Sequence, residues 1–216
     1  MIDLIVFLKA PVAGEVKTRL QTRFSQQQTA DIYGAFIKDT FATAEAVEAD
    51  RCFAAYTGSS DDVEPYIPDG WNQVPQVEGD LGTRMLASLR SSIESGAEKA
   101  ILIGSDIPSL PADHIYAAID RLDRADVILG PTTDGGFYLI GTGSLLPDVF
   151  PDLAWSTERV FEQATEGIQQ HNLRLGLIPP CTDIDTPKDL DAVLRDPRGA
   201  PLYHTRSILE RIRVQP

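Results

Sequence analysis

The 216-residue chain carries 32 acidic against 19 basic side chains, a formal net charge of -13, and 43% hydrophobic residues. It is long enough for one full-sized core, and its acidity argues against a nucleic-acid or anionic-membrane surface, which needs a clustered positive field. Cys52 and Cys181 lack metal-ligand spacing and read as idle thiols of a reducing cytosol, while the early apolar run Leu4 to Leu8 is too short for a leader or a membrane span, so a cytoplasmic protein is expected.

Short β-rich runs alternate with longer helical patterns. Leu4–Leu8 reads as a buried first strand, and Ser25 with Gln28 forms a capping box opening a helix that should end near Ala49. A second strand spans Arg51–Tyr56, a polar turn region with a short helix covers Gly58–Gly70, and Trp71–Val77 suits a third strand. The helix after Gly79-Asp80-Leu81-Gly82-Thr83-Arg84 carries Met85, Leu86, Leu89 and Ile93 as its apolar stripe. Next come a continuous apolar strand at 100–104, a helix near Ala112–Leu122 and a strand at Asp126–Gly130. Farther on are a loop at 130–136, a strand at Phe137–Gly141, a helix from Trp155-Ser156-Thr157 to about His171, and a strand at Leu173–Ile178. Thr186-Pro187-Lys188-Asp189 is a helix start with Thr as cap and Pro at the first position. The tail carries Arg195, Arg198, Arg206, Arg211 and Arg213, with a short helix near Thr205–Arg213. Alternating strands and helices imply a three-layer α/β/α sandwich with a mostly parallel central sheet, as one domain over 1–195 and a C-terminal extension over 196–216.

Three places carry chemistry. The strand at 100–104 stops at Gly104-Ser105-Asp106, which delivers a carboxylate to the sheet edge where open α/β folds bind ligands. Pro108 and Pro111 forbid a helix inside that turn, although Asp106 could equally serve as a turn or helix cap. The loop after strand one holds Lys9, Gly14, Lys17 and Arg19 and continues to Arg23, a local inversion of charge suited to a polyphosphate; a solvated basic turn is the alternative. Asp183 and Asp185 precede the last well-signalled helix, but Thr186 already fits the cap and leaves Asp185 without that role. Two carboxylates converging from Asp106 and Asp185 would suit Mg²⁺. His114, His171 and His204 lack partner spacing and read as surface or helix-end residues. Trp155 suits either stacking on an acceptor or packing.

Taken together, Lys9-Ala10-Pro11 with Gly14 and Val16-Lys17-Thr18-Arg19-Leu20, Gly79-Asp80-Leu81-Gly82 with Arg84-Met85, Gly104-Ser105-Asp106-Ile107-Pro108, Gly130-Pro131 with Asp134-Gly135-Gly136, Trp155-Ser156-Thr157 and Asp183-Ile184-Asp185-Thr186-Pro187 resemble a bacterial family of GT-A-fold transferases of unknown function. That family is similar to 2-phospholactate guanylyltransferase and to the molybdopterin nucleotidyltransferases. The resemblance implies a Rossmann-like nucleotide-diphospho-sugar transferase fold, with Asp106 and Asp185 as ligands of Mg²⁺ (or Mn²⁺). Leu81-Gly82-Thr83 would pack on the nucleobase, Gly82 giving it room, and Lys9, Gly14 and Ser105 would complete the nucleotide site. Lys17 and Arg19 would stabilise departing pyrophosphate, and Asp134 would line the acceptor side. The first loop departs from the nucleotidyltransferase signature, a Gly-Gly pair followed by Arg-Met-Gly. The expected activity is a Mg²⁺-dependent transferase on a nucleotide substrate, foremost a nucleotidyltransferase joining a nucleoside triphosphate to a small anionic acceptor. A glycosyltransferase using a nucleotide-diphosphate sugar is the alternative, and a non-catalytic nucleotide-binding regulator a third. The oligomeric state is left open.

Overall fold

Apolar side chains alternate between the two faces of the central strands, and this alternation builds a core on each side of one sheet. The computed structural model describes residues 1–150, 153–196 and 199–214. Its strands are β1 (Ile2–Lys9), β2 (Arg51–Thr57), β3 (Asn72–Pro75), β4 (Lys99–Gly104), β5 (Val127–Pro131), β6 (Phe137–Thr142) and β7 (Leu175–Leu177). They form a seven-stranded sheet in the order β3-β2-β1-β4-β6-β5-β7. β6 runs antiparallel to both β4 and β5; the remaining pairings are parallel. The expected three-layer, mostly parallel architecture is therefore the one observed.

Helices cover both faces. They are α1 (Gln26–Glu45), α2 (Ser60–Val63), α3 (Leu81–Glu94), α4 (Ala112–Arg121), α5 (Val160–Gln170), α6 (Pro187–Arg195) and α7 (Tyr203–Val214), with 3₁₀ turns at Thr18–Thr22 and Glu64–Tyr66. Leu4, Val6, Leu8, Ile101 and Ile103 point into the core shared with α1, α4 and α6. Ile5, Phe7, Ala100 and Leu102 point into the core shared with α3 and α5. Each Leu or Ile so buried contributes ~1.5–3 kcal/mol over its exposed state.

The helix starts follow their caps. Ser25 and Gln28 form the expected capping box, as do Thr186 and Asp189, so Asp185 is indeed left free of that duty. Some boundaries move. α1 ends at Glu45 rather than near Ala49, β7 is confined to Leu175–Leu177, and α5 begins at Val160 rather than beside Trp155. That last delay has a backbone cause: Ser156 sits at φ 65, in the left-handed region, which breaks a helix before it starts. The tail helix packs on α1, where the buried carboxylate of Asp39 accepts hydrogen bonds from the His204 and Thr205 backbone N–H groups and the Thr205 hydroxyl at 2.9, 2.9 and 2.6 Å. Arg198, grouped with the tail cations from sequence, lies outside the described residues.

Candidate functional site

β1 and β4 are neighbours in parallel register, Phe7 opposite Gly104, and the chain leaves them in opposite directions across the sheet. That divergence opens a crevice at their carboxyl ends. A cleft of about 680 Å³ occupies it, lined along its length by Lys9, Arg19, Arg84, Asp106, Asp134 and Trp155 among others. Its size falls within the roughly 300–1,000 Å³ of small-molecule sites.

Two long-range connections bring the acids together. After β4 the chain turns through Asp106 without starting a helix, and α4 begins only after Pro111, as the prolines require. After β7 it crosses the sheet edge: Cys181 N–H donates to the Pro131 carbonyl, and Ile184 N–H donates to the Asp106 carbonyl at 3.1 Å. The last bond seats Asp185 opposite Asp106. Because residues alternate along an extended segment, Asp183 emerges on the same side as Asp185 and also lines the cleft.

Lys17 lies between the two acids. Its Nζ is 2.7 Å from Asp106 Oδ1 and 3.0 Å from Asp185 Oδ1, with 7% of the side chain exposed. Arg19 Nη1 donates to the other Asp185 oxygen at 2.8 Å. Burial alone would depress the Lys17 ammonium, yet the two carboxylate charges outweigh it and hold its pKa above the ordinary lysine value. Lys17 also adopts a left-handed backbone (φ 43, ψ 43), a conformation that costs a side-chain-bearing residue ~1–2 kcal/mol and persists only where the surroundings fix it.

The remaining acids lack such compensation. Burial, with the charges of Asp134 and Asp185, pushes the Asp183 carboxyl up to about 6. Asp134 is held in its loop by hydrogen bonds from Thr132 Oγ1 and the Gly136 N–H. Four carboxylates, Asp106, Asp134, Asp183 and Asp185, thus share one cleft edge with Lys17 and Arg19.

The basic loop is less free than its sequence suggests. Lys9 Nζ pairs with Glu15 at 3.6 Å, and Arg23 turns to Asp191 of α6 in a two-pronged contact at 2.8 Å. Gly14 lines neither cavity at this edge; its φ of +86 serves the turn, and its α-carbon faces Gln26. Ser105 is buried at the cleft floor, where Tyr33 Oη lies 2.8 Å from its Oγ and accepts from the Lys9 N–H. Burial and the Asp106 charge push that phenol up to about 12, so it stays protonated.

The Leu81-Gly82-Thr83 segment divides its duties. Leu81 lines the cleft and is 37% exposed. Gly82 instead makes room for protein: a β-carbon there would lie 2.9 Å from the Trp155 ring and 3.0 Å from Phe150. Thr83 donates its N–H to the Asp80 side chain, which caps α3 and also accepts the Trp155 indole N–H at 3.2 Å. Trp155 therefore both packs, edge-on to Phe150 at 6.2 Å, and lines the cleft.

The sequence named Asp183 beside Asp185 but gave it no role in the site, although their i, i+2 spacing puts both on one side. It also left Arg84 and Gln76 without a role. His114 departs from expectation: it is half-buried behind the cleft, with Nδ1 2.8 Å from the Tyr138 hydroxyl and 3.4 Å from Cys181 Sγ. Burial lowers its pKa and raises those of Tyr138 and Cys181, which makes this a neutral packing network rather than an activated thiol.

Residues 37–157 match a family described as uncharacterized proteins conserved in bacteria (DUF2064). No curated protein matches the chain. Among solved structures it is similar to a Desulfovibrio desulfuricans G20 protein named provisionally as a nucleotide-diphospho-sugar transferase, with 28% identity, a TM-score of 0.88, and 97% of this chain and 94% of that one covered. A Methanothermobacter nucleotidyl transferase shares the fold at 16% identity and TM-score 0.59, over 90% and 98% of the two chains. So does Rv0371c of Mycobacterium tuberculosis H37Rv, solved as a complex with manganese, at 19% identity and TM-score 0.50, over 90% and 98%.

Proposed function

The chain belongs to the DUF2064 family of bacterial proteins, and we propose that it is a divalent-metal-dependent transferase acting on a nucleotide, foremost a nucleotidyltransferase. The observation that carries this reading is the Asp106–Lys17–Asp185 arrangement at the crevice between β1 and β4. The nucleotidyl transferase and nucleotide-diphospho-sugar transferase names of its structural neighbours support the reaction class.

The residues fit a hard divalent cation. Asp106 and Asp185 each bring a carboxylate oxygen within 3.0 Å of Lys17 Nζ, two donors of the kind Mg²⁺ or Mn²⁺ takes alongside phosphate oxygens, while no group of three protein ligands is assembled among the described residues. Asp134 and Asp183 add carboxylates to the same edge; burial first, and then the charges of Asp134 and Asp185, raise the Asp183 carboxyl. Rv0371c with manganese is a precedent for the fold. When bound, the ion would supply charge neutralisation between substrate phosphates.

The chain's own groups then divide the work. An acceptor oxygen forms a bond to the α-phosphorus of a nucleoside triphosphate while the bond to pyrophosphate breaks in line. Lys17 and Arg19 would neutralise charge on the departing pyrophosphate. Lys9, Ser105, Leu81, Asp134 and Trp155 all line the cleft; in this reading Lys9 would extend the positive rim, Ser105 and Leu81 would face the nucleotide, and Asp134 and Trp155 the acceptor. An anionic acceptor needs no dedicated base.

Glycosyl transfer from a nucleotide-diphosphate sugar is the second reading, favoured by the 0.88 TM-score to the Desulfovibrio protein. Incubation with Mg²⁺, each nucleoside triphosphate and a panel of small acidic acceptors should release pyrophosphate, and Asp106→Asn should abolish it. Nucleoside diphosphate released from a nucleotide sugar, without pyrophosphate from any triphosphate, would transfer the assignment to the second reading.

A further inference from the structure

Arg84 differs from the other cations of the main cleft. Lys9 and Arg19 each pair with a carboxylate, whereas Arg84 forms no ion pair among the described residues. It stands in the first turn of α3, where the helix dipole disfavours a cation. Its placement is nonetheless fixed. Nε donates to the Asp80 carbonyl at 3.3 Å and Nη1 donates to Gln76 Oε1 at 3.0 Å. Gln76 is itself pinned, its Nε2 donating to the Ala55 carbonyl at 2.9 Å and its N–H to the Tyr56 carbonyl at 2.8 Å. The nearby Asp80 carboxylate is engaged by Thr83 and Trp155. A guanidinium whose hydrogen bonds go to neutral acceptors, with the Asp80 charge nearby and Nη2 unbonded among the described residues, therefore lines a ligand-sized cleft.

Its position sets what it can meet. Gln76 directly follows β3 and bonds to β2, while Asp106 follows β4, three strands from β3 and ~14 Å across the sheet. A nucleotide whose phosphates lie at Asp106 and Lys17 would extend its base toward Arg84. Leu81, 37% exposed, supplies apolar surface at that end for a flat ring, with the buried Phe7 and Met85 behind the cleft wall. Guanidinium protons require acceptors. Guanine offers O6 and N7 side by side, and cytosine offers O2 and N3; adenine places an amino donor next to N7 and mismatches the fork.

We propose that Arg84, oriented by Gln76, is the nucleobase-selecting residue of this cleft and favours bases that present two adjacent acceptors over adenine. The proposal rests on the nucleotide reading above. Equilibrium binding of GTP, CTP, UTP and ATP to the whole protein with Mg²⁺ tests it. The wild type should bind GTP or CTP about ten- to a hundredfold more tightly than ATP. Arg84→Met should erase that preference while leaving ATP affinity within about twofold. Gln76→Glu keeps the arginine but engages it with a carboxylate, and should weaken the same preference without removing a side chain from α3. Equal loss for all four nucleotides in Arg84→Met would overturn base selection and make Arg84 a phosphate or ribose contact. Wild-type binding without preference against ATP would also overturn it. If no nucleotide binds the wild type, the nucleotide reading itself fails and this proposal with it.

Discussion

Lys17 owes its buried charge to its neighbours. An ammonium 7% exposed is tolerable because Asp106 and Asp185 both touch it, and those carboxylates tolerate one another because it lies between them. Lys17→Met should therefore cost about 1–3 kcal/mol of stability in metal-free buffer, less than a fully buried pair would because Asp106 is 57% exposed. The same substitution leaves both carboxylates for a cation. Added Mg²⁺ should accordingly raise the melting temperature of Lys17→Met by more than that of the wild type. An equal or smaller rise, measured by calorimetry with and without the ion, would mean that Asp106 and Asp185 do not share a divalent site.

Elements at the carboxyl edge are held by contacts that leave no room for a side chain. Gly135 sits at φ +93, and a β-carbon there would lie 2.1 Å from the Glu158 carbonyl oxygen, just before α5. Gly70, at φ +85, has nothing within 4 Å of the same imagined carbon. Gly70→Ala should thus cost only backbone strain, on the order of 1 kcal/mol, whereas Gly135→Ala adds a displaced loop and should cost distinctly more. Urea denaturation of both variants separates the two effects. The edge strand β7 gives a pH-dependent counterpart. Arg174, through its side chain and backbone N–H, holds the Asp126 carboxyl down to about 2. A depressed acid stabilises the fold above its unfolded pKa of 3.8 and loses that contribution as pH falls through about 2. Asp126→Asn should flatten that part of the acid-unfolding curve, which wild-type and variant titrations followed by circular dichroism would reveal.

Legibility followed the range of the interaction. The capping boxes at Ser25 and Thr186 were readable because partners three residues apart carry the signal. So were the apolar strand ending at Gly104 and the two acids that the fold brings together. Gly82 and the loop cations were misread in part because their partners are distant: Trp155 and Phe150 fill the space at Gly82, and Asp185 and Asp191 claim Arg19 and Arg23 from more than 160 positions away. Local pattern cannot encode a pairing that only the closed sheet creates.

At the scale of the whole molecule, α1 reaches both the cleft and the C-terminal extension, which also meets the turn after β4 where the Ala200 N–H donates to the Ser109 carbonyl at 2.9 Å. Tyr33 on one part of it reaches Ser105 and the Lys9 backbone at the cleft, while Asp39 on another caps the start of α7. The Asp39 carboxylate is 1% exposed and satisfies two backbone N–H groups that the first turn of α7 cannot bond internally. Replacing it with alanine leaves the buried Thr205 N–H and hydroxyl without partners, at about 1–3 kcal/mol. Asp39→Ala should therefore lower the melting temperature and open residues near α7 to limited proteolysis. Its nucleotide affinity should stay within about twofold of the wild type, because neither Asp39 nor any residue of α7 lines the cleft. A matching loss of affinity would mean that α1 transmits the docking of the tail to Tyr33 and the cleft, and that the extension cannot be treated as separable from the sheet and its helices.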